Sequence, residues 1–343
     1  MFNFLVWILL IELIVLLFFI IMSLVENIYL TSRRNKEGIH HKVLTKLLME
    51  CLEKKTSPLP FLSKGFKNLC LLLTVLETFN LRFQGGYWVI IKEELANHFL
   101  LPFARKKYKS KFWNQRYQAA RCFAICPLQI DVTFILFLMK DPLFLVHSVA
   151  ALAAIRLESL EGLSLMIEKI SLENNGYSRS FYKDLLLKGS TQVFQYIEKQ
   201  ALKASDEKTH LTCMDILAAK VFPVAQELLQ KDLASLDPKV RLAALKIYAH
   251  NPQKGSEAVL LKAIQAPESS SREEAAYGLS IFSSDSSLRA LERALGDDCM
   301  SVRLQAAKSL KKNGTKGIAI LNQQKKLEDL AISEMVNYVL EFS

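Results

Sequence analysis

Two cysteines four residues apart, Cys122 and Cys126, have the spacing in this sequence that could bind a metal ion. Residues four apart lie on the same face of a helix, so both thiolates could reach one ion. No nearby histidine or cysteine completes a set of four ligands, and small core thiols are the favoured interpretation. The sequence therefore predicts no metal site.

The other polar pairs that could act as acids, bases or ligands lie far apart along the chain. They are His40–His41, Glu93–Glu94 and Asp297–Asp298. The histidines fall in a polar linker, and the carboxylates fall at predicted helix ends or exposed faces, where capping and solvation explain them. There is no Gly-rich phosphate loop, no Gly-x-Ser-x-Gly and no His-Glu-x-x-His. We therefore expect no catalytic residue, no cofactor and no enzyme activity.

One motif recurs along the chain and indicates the elements that position these residues. It consists of a basic residue, two small residues three and four positions later, and an apolar residue at the seventh. The basic positions are 31 or 32 residues apart, a period typical of repeat proteins. They are Arg116, His147, Arg179, His210, Arg241, Arg272 and Arg303. After Arg179 the small pair is replaced by Tyr182 and Lys183, so this unit is the weakest match.

Each unit also contains a second apolar helix, and short breaks separate the helices. Asp-Pro at 141–142 and at 237–238 is typical of a helix start, and Asn313-Gly314 is typical of a helix end. We expect helical hairpins that stack, with alanines where two hairpins meet and large side chains would not fit. A glutamate at Ala307 should therefore destabilise the fold by several kcal/mol.

The motif arginines should reach carboxylates at the ends of neighbouring helices. Candidate pairs are Arg241 with Asp237, and Arg303 with Asp298.

Residues 237–248 (DPKVRLAALKIY) and 297–310 (DDCMSVRLQAAKSL) resemble HEAT repeats, particularly the short, Ala-rich bacterial kind that is also found in phycobilin lyases. The resemblance covers about residues 110–326, which would hold seven repeats. It implies an all-α fold, a right-handed α-solenoid of helical hairpins. It also implies a protein-binding scaffold with a curved inner face lined by the second helices.

Residues 4–22 (FLVWILLIELIVLLFFIIM) contain one non-apolar residue, Glu12, and have the length of a membrane-spanning helix. The segment lacks the basic start and the small-x-small site of a cleaved signal peptide. Basic residues follow it, so the positive-inside rule predicts a single-pass protein with its N-terminus outside and its C-terminal domain cytoplasmic, as in a bacterial inner membrane. Glu12 is either tolerated or contacts a polar group of another membrane helix, and both interpretations stay open.

The basic character belongs to the N-terminal third of the chain. Residues 1–121 hold 18 Lys and Arg against 8 Asp and Glu, whereas residues 122–343 hold 26 of each. The basic side chains nearest the predicted membrane surface are Arg33, Arg34, Lys36, Arg105, Lys106, Lys107, Lys109 and Lys111.

Aromatic residues lie between the basic ones in 104–116, and three interpretations compete: a solvated helix start, contact with anionic lipid, and nucleic-acid binding. Closeness to the predicted anchor favours lipid over nucleic acid. The neutral balance of residues 122–343 argues against a nucleic-acid partner.

These patterns predict a membrane anchor at 1–26, a basic helical cap at 27–109, seven HEAT-like repeats at 110–326 and a C-terminal capping helix at 327–343. The predicted function is a membrane-tethered scaffold that binds a protein partner, such as a membrane protein complex, at the cytoplasmic face of the bilayer. Two alternatives are a HEAT-like prosthetic-group lyase or chaperone, and a HEAT-like nucleic-acid binder. A bound pigment would favour the first, and tight, salt-sensitive DNA binding the second.

Overall fold

The computed structural model describes residues 2–62, 68–172, 176–324 and 330–342, and leaves the side chains of 2–17, 28–37, 330 and 331 outside the description. All regular structure in these residues is helical, with no strand among them. The chain divides into two compact parts, which we call the N-terminal unit (Met1–Ala153) and the C-terminal unit (Ala154–Ser343). The prediction of an all-α fold is confirmed over the described residues.

The N-terminal unit is a set of helices that begins with one long helix. Its helices are α1 (Phe2–Lys54), α2 (Leu59–Leu62), α3 (Leu69–Arg82), α4 (Tyr87–Leu95), α5 (Leu101–Lys107), α6 (Trp113–Ile125), α7 (Val132–Met139) and most of α8 (Phe144–Arg156). A π-helical turn, Ala96–Leu100, joins α4 to α5 directly before Pro102, which has no amide hydrogen to donate to a regular helix. A 3-10 turn, Gln129–Asp131, precedes α7.

The last turns of α1 pack into the core of the N-terminal unit. Leu44, Leu48 and Cys51 are buried at three- and four-residue spacing, which is the stripe of an amphipathic helix. This stripe packs against α3 and α4, and α3 in turn packs against α6. Helix α1 continues without a break past residue 26, where the sequence predicted the end of an anchor.

The prediction of a membrane anchor at residues 4–22 is not supported. Among the residues that the structure describes, no helix combines the length and the apolar character needed to cross a bilayer. Most of the predicted span falls on residues whose side chains lie outside the description, since the described side chains of α1 begin at Phe18. By the criterion of length and apolar character, the predicted single-pass location, with an outside N-terminus and a cytoplasmic C-terminal domain, is wrong.

The C-terminal unit alternates two kinds of helix, as the repeat predicts. The first helices of its hairpins are α10 (Gly176–Leu186), α12 (Glu207–Ala218), α14 (Pro238–His250), α16 (Ser269–Leu279) and α18 (Met300–Lys312). The second helices are α9 (Leu160–Leu172), α11 (Thr191–Lys203), α13 (Gln226–Leu233), α15 (Ser256–Ala263), α17 (Asp285–Ala294) and α19 (Thr315–Gln324). The final helix, α20 (Leu330–Phe342), packs against α18 and α19.

Polar caps and left-handed glycines fix the ends of several of these helices. The Asp237 carboxylate accepts a hydrogen bond from the backbone N–H of Lys239 at 2.8 Å, with Pro238 as the first helical residue. Gly314 has φ +70°, a conformation that costs glycine little because it has no Cβ. The predicted helix start at 237–238 and the predicted helix end at 313–314 are both confirmed.

Helices α12, α14, α16 and α18 pack along one another, and small residues lie where they meet. Ala244, Ala275, Ala276, Ala306 and Ala307 are fully buried, as the packing argument predicts. A further small residue, which the motif did not single out, lies farther along α16. A Cβ at Gly278 would be 2.8 Å from the Cα of Ala249 on α14. The close approach of α14 and α16 therefore requires glycine there.

The described structure is thus an all-helical, solenoid-like stack of hairpins in its C-terminal unit. The right-handed turn of the predicted solenoid, the count of seven repeats and the domain boundaries at 26, 109 and 326 stay predictions.

Candidate functional site

The cysteines whose spacing suggested metal chemistry are core residues of the N-terminal unit. Cys122 and Cys126 are buried at the end of α6. Burial raises the pKa of the Cys122 thiol to about 12, and burial also raises the pKa of Cys126. Both side chains are therefore neutral thiols at neutral pH. Within the described ranges, no group of three His, Cys, Asp or Glu residues could hold a metal ion.

The motif arginines make a recurrent joint, which is seen most fully at Arg272 on α16. Its Nη1 donates to the carbonyl oxygens of Ala266 at 3.0 Å and Pro267 at 2.9 Å, in the loop that enters the helix. Its Nε and Nη2 donate to the two carboxylate oxygens of Asp297, in the next repeat, at 2.7 and 2.8 Å. These hydrogen bonds hold the pKa of the Asp297 carboxyl below its ordinary value and raise that of Arg272.

We call this joint the arginine clamp: bonds to the carbonyls six and five residues earlier, and to a carboxylate of the next repeat. Arg116 in the N-terminal unit makes it with the carbonyls of Ser110 and Lys111 and with the Asp141 carboxylate. A planar guanidinium suits this task because its five donors point in fixed directions.

Arg241 makes the same clamp with the carbonyls of Ser235 and Leu236 and with the Glu268 carboxylate. Arg303 makes the carbonyl half, with Asp297 at 2.7 Å and Asp298 at 3.2 Å.

The carboxylate partners differ from those that the sequence analysis expected. Arg241 pairs with Glu268 rather than with Asp237, whose carboxylate caps its own helix. Arg303 receives only the main-chain carbonyl of Asp298. The reason is that the partner carboxylate comes from the following repeat, 25 or 27 residues later, and the sequence does not show which end of a neighbouring hairpin faces the arginine.

The two motif histidines lie in different surroundings. His147 is buried in α8, with its ring 5.3 Å from that of Phe144. His210 on α12 bridges two acceptors: Nδ1 is 3.0 Å from the carbonyl of Ala201, and Nε2 is 2.8 Å from a carboxylate oxygen of buried Asp232. Both ring nitrogens must carry hydrogen to donate to these oxygens, and the hydrogen bond to Asp232 raises the pKa of His210.

Arg179 is the motif residue that departs most from this arrangement. It is exposed on α10 and forms no ion pair with another described residue. Helix α10 packs on α9 and approaches α12 at few points, because the buried Tyr182 and the half-buried Lys183 replace the small pair. Long side chains bridge the two helices instead: Lys183 Nζ lies 2.5 Å from the Asp215 carboxylate.

This interruption opens a groove of about 510 Å³ between α9, α10, α12 and α14. We call it the basic groove. Its cationic lining residues are Arg179, Lys208, Lys239 and Lys246. Leu211, Leu242 and Ala243 form its half-buried apolar part, and Asp215 is the carboxylate in its lining.

A second groove, of about 700 Å³, lies between α13, α14, α15 and the start of α16. We call it the apolar groove. Leu233, Leu245, Val259 and Ala263 contribute to its lining, and the clamp between Arg241 and Glu268 lies at its edge. Side chains of successive repeats thus converge in both grooves.

Some side chains of the basic cluster that was predicted to contact lipid interact instead with other residues of the N-terminal unit. Arg105 donates to both carboxylate oxygens of buried Asp131, at 2.7 and 3.0 Å. Lys109 Nζ lies 5.3 Å from the ring centres of Tyr108 and Phe137. Arg105, Lys106, Lys109 and Lys111 are exposed, and Lys107 is half-buried. Arg105 therefore holds the turn before α7 rather than facing solvent freely.

Four other predicted site residues fall where no side chain is described. They are Glu12, Arg33, Arg34 and Lys36, all in α1. Their predicted roles at a membrane have no support in the described residues.

The sequence analysis did not predict two features of the structure. In the N-terminal unit, Arg121 on α6 donates to both carboxylate oxygens of Glu77 on α3, at 2.8 and 2.6 Å. In the C-terminal unit, the basic groove collects cations from three helices. The interrupted motif at Tyr182 and Lys183 could have indicated the groove, because the packing between neighbouring helices changes where the small pair is missing.

Residues 224–312 match the family described as HEAT repeats. This segment contains Arg241, Arg272 and Arg303, three arginines of the predicted motif, so the family resemblance is confirmed over this part of the chain. A comparison with curated protein sequences gave no match.

Solved helical proteins are similar at a low level. Kap121p bound to Pho4p has a TM-score of 0.40 and 14% identity, covering 88% of this chain and 43% of that one. The CpcE–CpcF complex of phycocyanin lyase from Nostoc sp. PCC7120 has a TM-score of 0.32 and 16% identity, covering 69% and 93%. Human deoxyhypusine hydroxylase in complex with glycerol has a TM-score of 0.28 and 13% identity, covering 75% of this chain and 98% of that one. At these values the similarities carry no argument about function.

Proposed function

We propose that this chain is a HEAT-type scaffold whose C-terminal unit binds a protein partner, and that it is not an enzyme. The observation that carries the proposal is the pair of open grooves, each lined by side chains from successive repeats. Stacked helical repeats commonly bind partners through such extended surfaces. The clamps keep the repeats in a fixed arrangement, so a partner would meet a preformed surface and lose little free energy to ordering it.

Site-specific photo-cross-linking in cells tests the proposal. A photoreactive amino acid replaces Leu211 in the basic groove or Val259 in the apolar groove of the full chain. A matched control places it at Arg289, which is exposed on α17 and lines neither groove. We expect a discrete protein adduct from at least one groove position and none from Arg289.

Three outcomes would contradict the proposal. One is the absence of any protein adduct from both grooves, and another is an equal set of adducts from Arg289. The third is an adduct that contains a pigment or a nucleic acid instead of a protein, which would favour one of the alternatives in the sequence analysis.

A further inference from the structure

The basic groove carries positive charge that its own surroundings leave uncompensated. Within the described residues, Arg179, Lys208 and Lys246 form no ion pair. Lys239 lies 3.6 Å from the Glu207 carboxylate, with both side chains well exposed, so this pair is weak. Three cations on three different helices therefore face the groove without a described partner.

The carboxylate in the groove lining does not offset this charge. Asp215 is already bound by Lys183, whose Nζ is 2.5 Å from a carboxylate oxygen. Lys183 thus brings one positive charge for the one negative charge of Asp215. The groove keeps a net positive charge, and an anion entering it would not have to displace an internal partner.

Apolar side chains lie among these cations. Leu211 on α12 and Leu242 and Ala243 on α14 are half-buried in the lining. An occupant that carries carboxylates and at least one apolar side chain would match both components, because apolar contact adds to charge attraction.

The positive charge ends at the next repeat along the stack. At the corresponding face of α16 stand Glu273, which accepts a hydrogen bond from the Ser301 hydroxyl, and Glu274, whose carboxylate lies 2.8 Å from His250 Nε2. A long polyanion that continued from α14 across α16 would meet these carboxylates and be repelled. A short acidic segment that ends within the groove would not.

We propose that the basic groove binds a short acidic peptide segment of the protein partner, with carboxylates at Arg179, Lys208 and Lys246 and an apolar side chain against Leu211 and Leu242. This inference rests on the proposed scaffold function and names the chemistry of the segment that is bound. Nucleic acid and anionic lipid are the competing occupants.

Fluorescence anisotropy with the full-length chain tests this directly. The probe is a labelled ten-residue peptide of alternating glutamate and leucine, compared with the same peptide carrying serine for glutamate. We expect the acidic peptide to bind and the serine peptide to bind at least about tenfold more weakly, because each lost ion pair removes part of the affinity. Equal binding of the two peptides would overturn the inference.

A charge-reversed chain locates the binding. The double variant Lys208→Glu and Lys246→Glu should weaken binding of the acidic peptide by at least about tenfold. The matched control, Lys199→Glu with Lys254→Glu, makes the same charge change at exposed positions outside the groove and should stay within about twofold. Equal losses in both variants would mean that only overall charge matters, which would overturn the inference. Unchanged unfolding midpoints in urea show that both chains are folded.

Two further probes address the competing occupants: a single-stranded DNA of ten nucleotides, and vesicles containing phosphatidylserine. Groove-dependent binding of either probe, without binding of the acidic peptide, would overturn the inference.

The cross-linking at Leu211 separates failure of this inference from failure of the scaffold proposal. A partner adduct that persists unchanged in the charge-reversed chain would refute the acidic-peptide inference and leave the scaffold proposal standing. Absence of a partner adduct in the unaltered chain would refute the scaffold proposal, whatever the peptides show.

Discussion

Two stretches of the C-terminal unit follow the same 31-residue period and yet differ in structure. In α16 and α18 the motif is complete, and in α14 only Leu245 departs from it; the alanines are buried, and the helices pack along one another. In α10 the small pair is replaced by Tyr182 and Lys183, and α10 packs on α9 while long side chains bridge it to α12. Arg272 is clamped in the first stretch, and Arg179 is exposed in the second.

The difference indicates that the environment of the motif arginine depends on the size of the side chains beside it. Where small residues allow close approach, the arginine is used within the fold and the interface between repeats closes. Where they are missing, the helices stand apart and the same basic residue becomes part of a groove. We infer that the clamped interfaces of the regular repeats provide stability and that the interrupted repeat adds the basic groove to the proposed binding surface.

The largest expected effect comes from a charge placed in the closed interface. Ala307→Glu should lower the free energy of unfolding by about 3–5 kcal/mol, because the alanine is fully buried and its carboxylate would have no partner. Urea unfolding of the full chain measures the change. The matched control, Ala319→Glu at an exposed position of α19, should change it by less than about 0.5 kcal/mol. Similar values for the two variants would contradict the packing described for α18.

The clamp itself gives the next largest effect. Arg272→Leu should cost about 2–3 kcal/mol of unfolding free energy, because it removes the guanidinium donors from two loop carbonyls and from the Asp297 carboxylate, which keeps only the backbone N–H of Cys299. Arg179→Leu, at the equivalent motif position, should cost less than about 0.5 kcal/mol. A double-mutant cycle of Arg272→Leu with Asp297→Asn should show a coupling of about 1–2 kcal/mol. Equal losses at positions 272 and 179 would remove the distinction between the two stretches.

A glycine in the closed interface gives a change of unusual sign. Replacing glycine by alanine within a helix ordinarily stabilises it by roughly 0.5–1 kcal/mol. Gly278→Ala should instead destabilise by about 1–2 kcal/mol, because the new methyl group would overlap the backbone of Ala249. Gly176→Ala at the start of α10, where a Cβ would meet nothing within 4 Å, serves as the control and should not destabilise. Thermal unfolding of the three chains decides it, and a stabilised Gly278→Ala would be evidence against the close approach.

The smallest expected effect is a pH dependence at the repeat where histidine replaces arginine. The folded pKa of His210 lies above its ordinary value of about 6.5, so its protonated form stabilises the fold. That contribution is complete below about pH 6.5 and is lost as the pH rises through the folded pKa. The free energy of unfolding of the native chain, relative to that of His210→Gln, should therefore fall by roughly 1 kcal/mol between about pH 6 and about pH 9.

Parallel urea titrations of the native chain and of His210→Gln measure this difference. Asp232→Asn serves as a second control, because it removes the carboxylate that raises the pKa of His210. A difference that stays constant with pH would mean that the imidazolium is not the form that holds this joint.

Much of the C-terminal unit followed from local signals in the sequence. The period of 31 residues, the Asp237–Pro238 start and the Asn313–Gly314 end all depend on interactions within a few residues of the chain. The alanines could be assigned to the interior for the same reason, since a helix places residues three and four apart on one face. The carboxylate partners of the arginines could not be assigned from the sequence, because Glu268 and Asp297 belong to the repeat that follows their arginine.

The N-terminal unit was predicted less well. An apolar run was interpreted as a membrane anchor with a flanking basic surface, and the described residues do not support this. Arg105 shows one physical reason: its interpretation as a surface charge depended on its neighbours in sequence, whereas its partner is Asp131, 26 residues away. Composition reports which charges a segment holds, and not which of them are paired.

Local patterns along the chain already required helical hairpins in series with small residues between them, because helix periodicity and capping depend on residues close in sequence. Which cations are neutralised and which remain available depends on how the helices pack. Pairing depends on distances between helices that lie far apart along the chain. The broken motif near Arg179 was readable in the sequence, but the groove beside it exists only because α10, α12 and α14 bring Arg179, Lys208 and Lys246 to one place.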